Sequence, residues 1–111
     1  MLPPSNAARQ DPTAPVPPDS LHRAAFDGDV YTLTSLIKRG ANINETHLQT
    51  RMTPLQIAVG MNHIEVVRAL VANNALFTPD PEGRMPSLIA IECCASDDLR
   101  DFIVEAELAA G

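Results

Sequence analysis

Thr53-Pro54-Leu55-Gln56-Ile57-Ala58-Val59 decides the fold, because the same pattern stands 34 residues earlier as Asp19-Ser20-Leu21-His22-Arg23-Ala24-Ala25. Capping residue falls on capping residue, and apolar on apolar. The same shift carries Val30 onto Ile64, Leu33 onto Val67, Leu36 onto Leu70, Ile37 onto Val71, Gly40 onto Asn74 and Ala41 onto Ala75. A period of this size, kept across two apolar clusters, marks a chain of repeated units that each bury their apolar face on a neighbour. A shift of 33 then lays Arg51-Met52 on Arg84-Met85, Leu55 on Leu88, Ala58 on Ile91, Val66 on Leu99 and Leu70 on Ile103, which predicts a third, degraded copy.

Within a unit the residues read as a short helix, a tight break, a second helix and an extended excursion. Thr53 suits an N-cap, where its hydroxyl accepts from an orphan backbone N–H, and Pro54 suits the first helical position, where no donor is lost. Asp19 and Ser20 serve the first unit in the same way. After the break at Asp27-Gly28-Asp29, Val30, Leu33, Leu36 and Ile37 fall at spacings that line one face of a helix. Gly40 ends that helix in a left-handed conformation, and Asn74 is the next best residue for the same task. Ser96, Asp97 and Asp98 open the last helix, with negative charge at the positive end of its dipole.

Composition agrees with an all-α fold. Apolar residues make up 45% of the 111 residues but aromatics only 4%, with no Trp, so the core is built from Leu, Ile, Val and Ala in a single domain. Residues 1–18, with Pro3, Pro4, Pro12, Pro15, Pro17 and Pro18, have the composition of a disordered linker and not of a packed segment. The net charge of -6 and the lack of any basic run argue against nucleic acid. No apolar stretch is long enough to cross a bilayer, and Met1-Leu2-Pro3-Pro4 offers no targeting signal, so the expected location is cytoplasmic. Cys93 and Cys94 are adjacent, which disfavours a structural disulfide, and they read as reduced, packed thiols. His22, His47 and His63 share no ligand spacing with them, so no metal and no cofactor is expected. No phosphate-cradling loop or nucleophile motif points to an enzyme or a small-molecule substrate.

The unit resembles the ankyrin repeat. Its second copy carries Thr53-Pro54-Leu55, Ala58, His63-Ile64-Glu65-Val66-Val67 and Leu70-Val71, and its first carries Leu21-His22-Arg23-Ala24-Ala25, Gly28-Asp29 and Gly40-Ala41-Asn42-Ile43-Asn44. The resemblance implies a solenoid of helix-turn-helix units joined by β-hairpin-like loops, over 19–111, with repeats at about 19–52, 53–85 and 86–111. Departures stand at Gln56, which replaces the second opening His, and at Arg51 and Arg84, which occupy a turn position usually held by Gly. In the third unit Pro86-Ser87-Leu88-Ile89 scrambles the opening and Glu92 sits where the second alanine belongs. A capping repeat with a polar outer face accounts for these last changes. His22, by the same resemblance, organises neighbouring turns.

Such stacks resemble a cupped hand that binds another protein on its concave side. Carried over by position, the finger residues are His47, Gln49, Thr50 and Met52, then Asp80, Glu82 and Met85. The palm positions are Phe26 and Asp27, Gly60 and Met61, then Cys93 and Cys94. Phe26, Met52, Met61 and Met85 either form an apolar binding stripe or tuck between units as gap-fillers. Residues 92–111 set six carboxylates against Arg100 alone, which either steers a basic partner or simply solvates the last unit. The function expected is that of a non-catalytic adaptor or scaffold, monomeric by itself. The alternative is a stoichiometric inhibitor of an enzyme or toxin, of the immunity-protein or antitoxin type.

Overall fold

Among the described residues six helices carry the fold: α1 Ser20–Asp27, α2 Val30–Lys38, α3 Pro54–Gly60, α4 Ile64–Ala72, α5 Pro86–Glu92 and α6 Asp97–Ala110. The structure is a computed structural model that describes residues 20–110; the proline-rich 1–18 segment and the capping position Asp19 lie outside the described residues. Each unit is one helix pair. The first helices pack in the row α1–α3–α5 and the second helices in the row α2–α4–α6, so successive pairs stack side by side. Among the described residues there is no strand: the excursions expected to be hairpin-like are built from turns.

The core is the aliphatic one that the composition requires. Ala24, Ala58 and Ala90 repeat at the first-row contacts, while Leu33, Val67 and Leu70, then Leu99 and Ile103, fill the second row. Small residues in the first row let those helices approach closely, and each buried Leu, Ile or Val adds roughly 1.5–3 kcal/mol. The predicted cap at Thr53 is present. Thr53 accepts from the Gln56 N–H at 3.3 Å while the Gln56 side chain accepts from the Thr53 N–H at 2.9 Å, a complete capping box. Asp29 caps α2 by accepting from the Thr32 N–H at 3.1 Å and the Thr32 hydroxyl at 2.6 Å. Gly40 and Asn74 end α2 and α4 with φ of 95° and 67°.

Gln56 also explains why the opening His is dispensable in the second unit. Its amide donates to the Thr78 carbonyl at 2.8 Å, as His22 Nε2–H donates to the Glu45 carbonyl at 2.6 Å, so each ties its helix to the excursion that follows.

The third unit corrects the register read from sequence. Pro86 stands where Pro54 stands, Ala90 where Ala58 does, and Cys94, with φ 56°, where Asn62 has φ 62°. The first helix is therefore displaced by 32 residues and only the second by 33, as Leu99 and Ile103 show. The Arg-Met match misled: Arg51, at φ 62°, corresponds to Gly83, at φ 82°, so Arg84 matches Met52 and Met85 matches Thr53. The cause is a second finger one residue shorter. The His47 N–H donates to the Met52 carbonyl in the first finger, and the Asp80 N–H to the Arg84 carbonyl in the second, both at 2.9 Å. Glu92 therefore matches Gly60 and not the second alanine, and Arg84 does not occupy the left-handed position.

Met85 has the extended backbone of an N-cap, φ -72° and ψ 160°, close to the -83° and 163° of Thr53, but makes no side-chain cap. Met85→Thr is expected to stabilise the fold by about 1 kcal/mol, read as a higher urea midpoint at unchanged m.

Candidate functional site

Between the first two units the concave side opens into a groove of about 690 Å3. Its floor and walls come from three places. α1 contributes Phe26 and Asp27 from its last turn with His22 and Arg23 behind them, α3 contributes Ile57, Gly60 and Met61, and the first finger contributes His47, Thr50 and Met52. Phe26 is 55% exposed and Met61 42%, so both present apolar surface to an incoming molecule. Ile57, half-buried, continues that surface inward.

Each element is held in place by identifiable contacts. The Phe26 carbonyl accepts from His63 Nε2–H at 2.9 Å, which fixes the end of α1 against the start of α4. Gly28 follows at φ 75°, and the His63 ring packs so close that a Cβ there would lie 2.7 Å from Nδ1. The finger is ordered from within by His47, whose Nδ1 accepts from the Gln49 N–H at 3.1 Å and the Thr50 N–H at 3.3 Å. The rings of His22 and His47 then meet edge to face at 5.4 Å, joining finger to α1. His22 thus has the turn-organising role that the resemblance implied.

The rim is polar and the apolar character is local. Arg23 and Asp27 face each other at 3.9 Å with both side chains mostly in solvent, a contact that adds little to stability but marks the edge of the groove. At the third unit the positions of Met52 and Gly60 are held by Arg84 and Glu92, which pair at 3.0 Å. The concave side therefore passes from an apolar groove to a charged surface.

Of the finger and palm residues read from sequence, Phe26, Asp27, His47, Thr50, Met52, Gly60 and Met61 come together in this groove. Gln49 is exposed on the finger outside its lining, and Glu82 is exposed near Arg84 at 3.6 Å. Met85 is not a finger residue but the N-cap of α5, so of the four apolar positions only Phe26, Met52 and Met61 line the groove. Asp80, expected on the finger surface, is only 6% exposed. Its carboxylate turns inward to accept from the Glu82 N–H at 2.9 Å, the Arg84 N–H at 2.8 Å and Arg84 Nε–H at 2.9 Å, making it the organiser of the second finger. Cys93 and Cys94 are also corrected: both are exposed, one capping α5 and the next in the left-handed turn, and neither packs. The corrected register makes Glu92 and Cys93 the third palm pair. Sequence reading missed Ile57 as a groove residue; its place facing the first unit follows only from the stack.

A family model described as ankyrin repeats, in three copies, matches residues 21–108. No curated protein matches the chain. No helix among the described residues is long and apolar enough to cross a membrane.

Proposed function

Since the chain belongs to the ankyrin-repeat family, whose members are generally protein–protein interaction modules and typically non-catalytic, we propose that it is an adaptor or scaffold that grips one protein partner in the groove between its first two units. The observation that carries this reading is the exposure of Phe26 and Met61 beside Met52 on one concave surface with a polar rim. Apolar anchors inside a polar ring are what an interface core needs, and flexible Met side chains adapt to the shape they meet. Covering three such side chains supplies roughly 1.5–3 kcal/mol each before the costs of association.

The test is capture of partner protein by the full chain and by Phe26→Asp/Met61→Asp. The double variant is expected to bind about thirty-fold more weakly, about 2 kcal/mol, with its helical circular dichroism spectrum unchanged. Equal capture by both chains, with the variant folded, removes the groove from the mechanism. The adaptor reading further expects the captured protein to keep its own activity in a one-to-one complex. A partner silenced at that stoichiometry would make the chain an inhibitor.

A further inference from the structure

Resting on the groove reading above, we infer that the partner offers an extended segment: a large apolar side chain fills the groove, and a Lys or Arg beside it reaches the third unit. Both fingers spend their backbone donors on themselves. In the first, the N–H groups of Gln49 and Thr50 donate to His47 Nδ1, that of Arg51 to the His47 carbonyl, and that of Met52 to the Thr50 hydroxyl at 3.3 Å. In the second, Pro81 has no N–H, Glu82 and Arg84 donate to the Asp80 carboxylate, and Gly83 donates to the Asp80 carbonyl at 2.9 Å. The carbonyls of Leu48, Gln49 and Thr50, and those of Pro81 and Glu82, take no hydrogen bond from the described residues. An occupant therefore meets backbone acceptors and no backbone donor at the second finger, and chiefly acceptors at the first. It is held through donors of its own.

Charge places the strongest of those donors. At the third unit Asp80, Glu82 and Glu92 share the single guanidinium of Arg84, at 2.8, 3.6 and 3.0 Å, so carboxylates outnumber cations. The Asp80 side chain is enclosed, but that of Glu82 is 75% exposed and that of Glu92 49%, which leaves both open to a second cation. Around the groove itself Arg23 and Asp27 offset each other, as do the exposed Glu45 and Arg51 of the loop between the first two units. The negative excess of the concave side thus lies at the third unit, and a cation of the partner is drawn there and not to the rim of the groove. An acidic segment would instead meet carboxylates beside carbonyls that it cannot satisfy.

The spacing follows from the stack. Helices of one row lie about 8–10 Å apart, so Glu92 at the end of α5 stands roughly 12–15 Å from the middle of the groove. About three to four residues of extended chain, at ~3.3 Å each, cover that distance with the length of a Lys or Arg side chain in hand. The cation is needed on one side of the anchor only, because the groove has its charged neighbour on one side only.

A displayed library of random dodecapeptides, selected on the full chain, tests this chemistry. Selected peptides are expected to carry Leu, Phe, Trp or Met with Lys or Arg about three to four positions away, and to lose their grip on Phe26→Asp/Met61→Asp. In a synthetic peptide of that type, replacing its basic residue by Glu is expected to weaken binding about tenfold. Glu82→Gln/Glu92→Gln in the chain is expected to weaken the basic peptide about threefold. The peptide exchange reads the charge preference even where that variant fails to fold. Selected peptides that lodge in the groove with acidic flanks, or with no preference in charge, overturn the inference and leave the groove reading standing. A library that yields no peptide for the folded chain overturns it as well. Peptides that bind folded Phe26→Asp/Met61→Asp as tightly as the wild type overturn both readings.

Discussion

Gly28→Ala lowers the unfolding free energy by about 3 kcal/mol, a large part of the roughly 5–10 kcal/mol expected of a domain this size. Two separate costs add. The backbone sits at φ 75°, where an L side chain costs about 1 kcal/mol or more. The new methyl would also stand 2.7 Å from Nδ1, 2.8 Å from Cε1 and 3.0 Å from Cγ of His63. Because Cγ itself is among these, turning the end of the ring does not relieve the overlap; the ring must leave and give up its hydrogen bond to the Phe26 carbonyl, worth about 1 kcal/mol. Introducing the change into His63→Ala removes the overlap and leaves the backbone cost alone, so there it is expected to cost only about 1 kcal/mol. Urea unfolding of the four chains of this cycle measures the difference directly. Additive losses would mean that the ring yields freely. The same contact shapes the groove, since the carbonyl that His63 holds belongs to Phe26 in its lining.

That dual use of one histidine was not visible in the sequence, and the reason is physical. Caps, apolar spacing and helix-ending residues act locally, so Thr53-Pro54, Gly40 and Asn74 announced two units correctly. The third unit failed locally too: Met85 offers no capping oxygen, and the Arg-Met pair at 84–85 resembled the one at 51–52 while Gly83, one residue earlier, marked the true turn. The groove was legible as a set of positions because the family geometry fixes which turns face inward. What position cannot fix is the direction of a loop side chain. His47 and Asp80 both stand at the start of a finger, and both turn their acceptor onto the finger's own N–H groups. His47 still reaches the groove, since its ring is broad and edge-on to His22; the shorter Asp80 is consumed by its turn. An Asp followed by Gly three residues later is a turn pattern, and weighing it would have placed Asp80 inward.

Asp80→Ala is the second large effect, expected to cost about 2–3 kcal/mol and to remove part of the acid sensitivity of the fold. The carboxylate satisfies two backbone N–H groups of its finger and holds Arg84 through Nε at 2.9 Å and Nη2 at 2.8 Å. Arg84 keeps Glu92 and part of its solvent, so the loss stays below that of a fully buried pair. Asp80→Asn retains a carbonyl oxygen for the two N–H groups and is expected to recover about 1 kcal/mol of the loss. Burial alone would raise the Asp80 carboxyl, but hydrogen bonds from the Arg84 backbone and side chain, the Glu82 N–H and the Arg84 charge outweigh it and hold the group below its ordinary value of 3.8. A carboxyl depressed in the folded state contributes stability above its unfolded pKa and loses it as pH falls through the folded one. The stability difference between wild type and Asp80→Asn is therefore constant at neutral pH and shrinks below about pH 4. Urea midpoints of both chains between neutral pH and about pH 2.5 measure it. A difference that stays level across that range would mean that the second finger owes its shape to hydrogen bonds indifferent to charge.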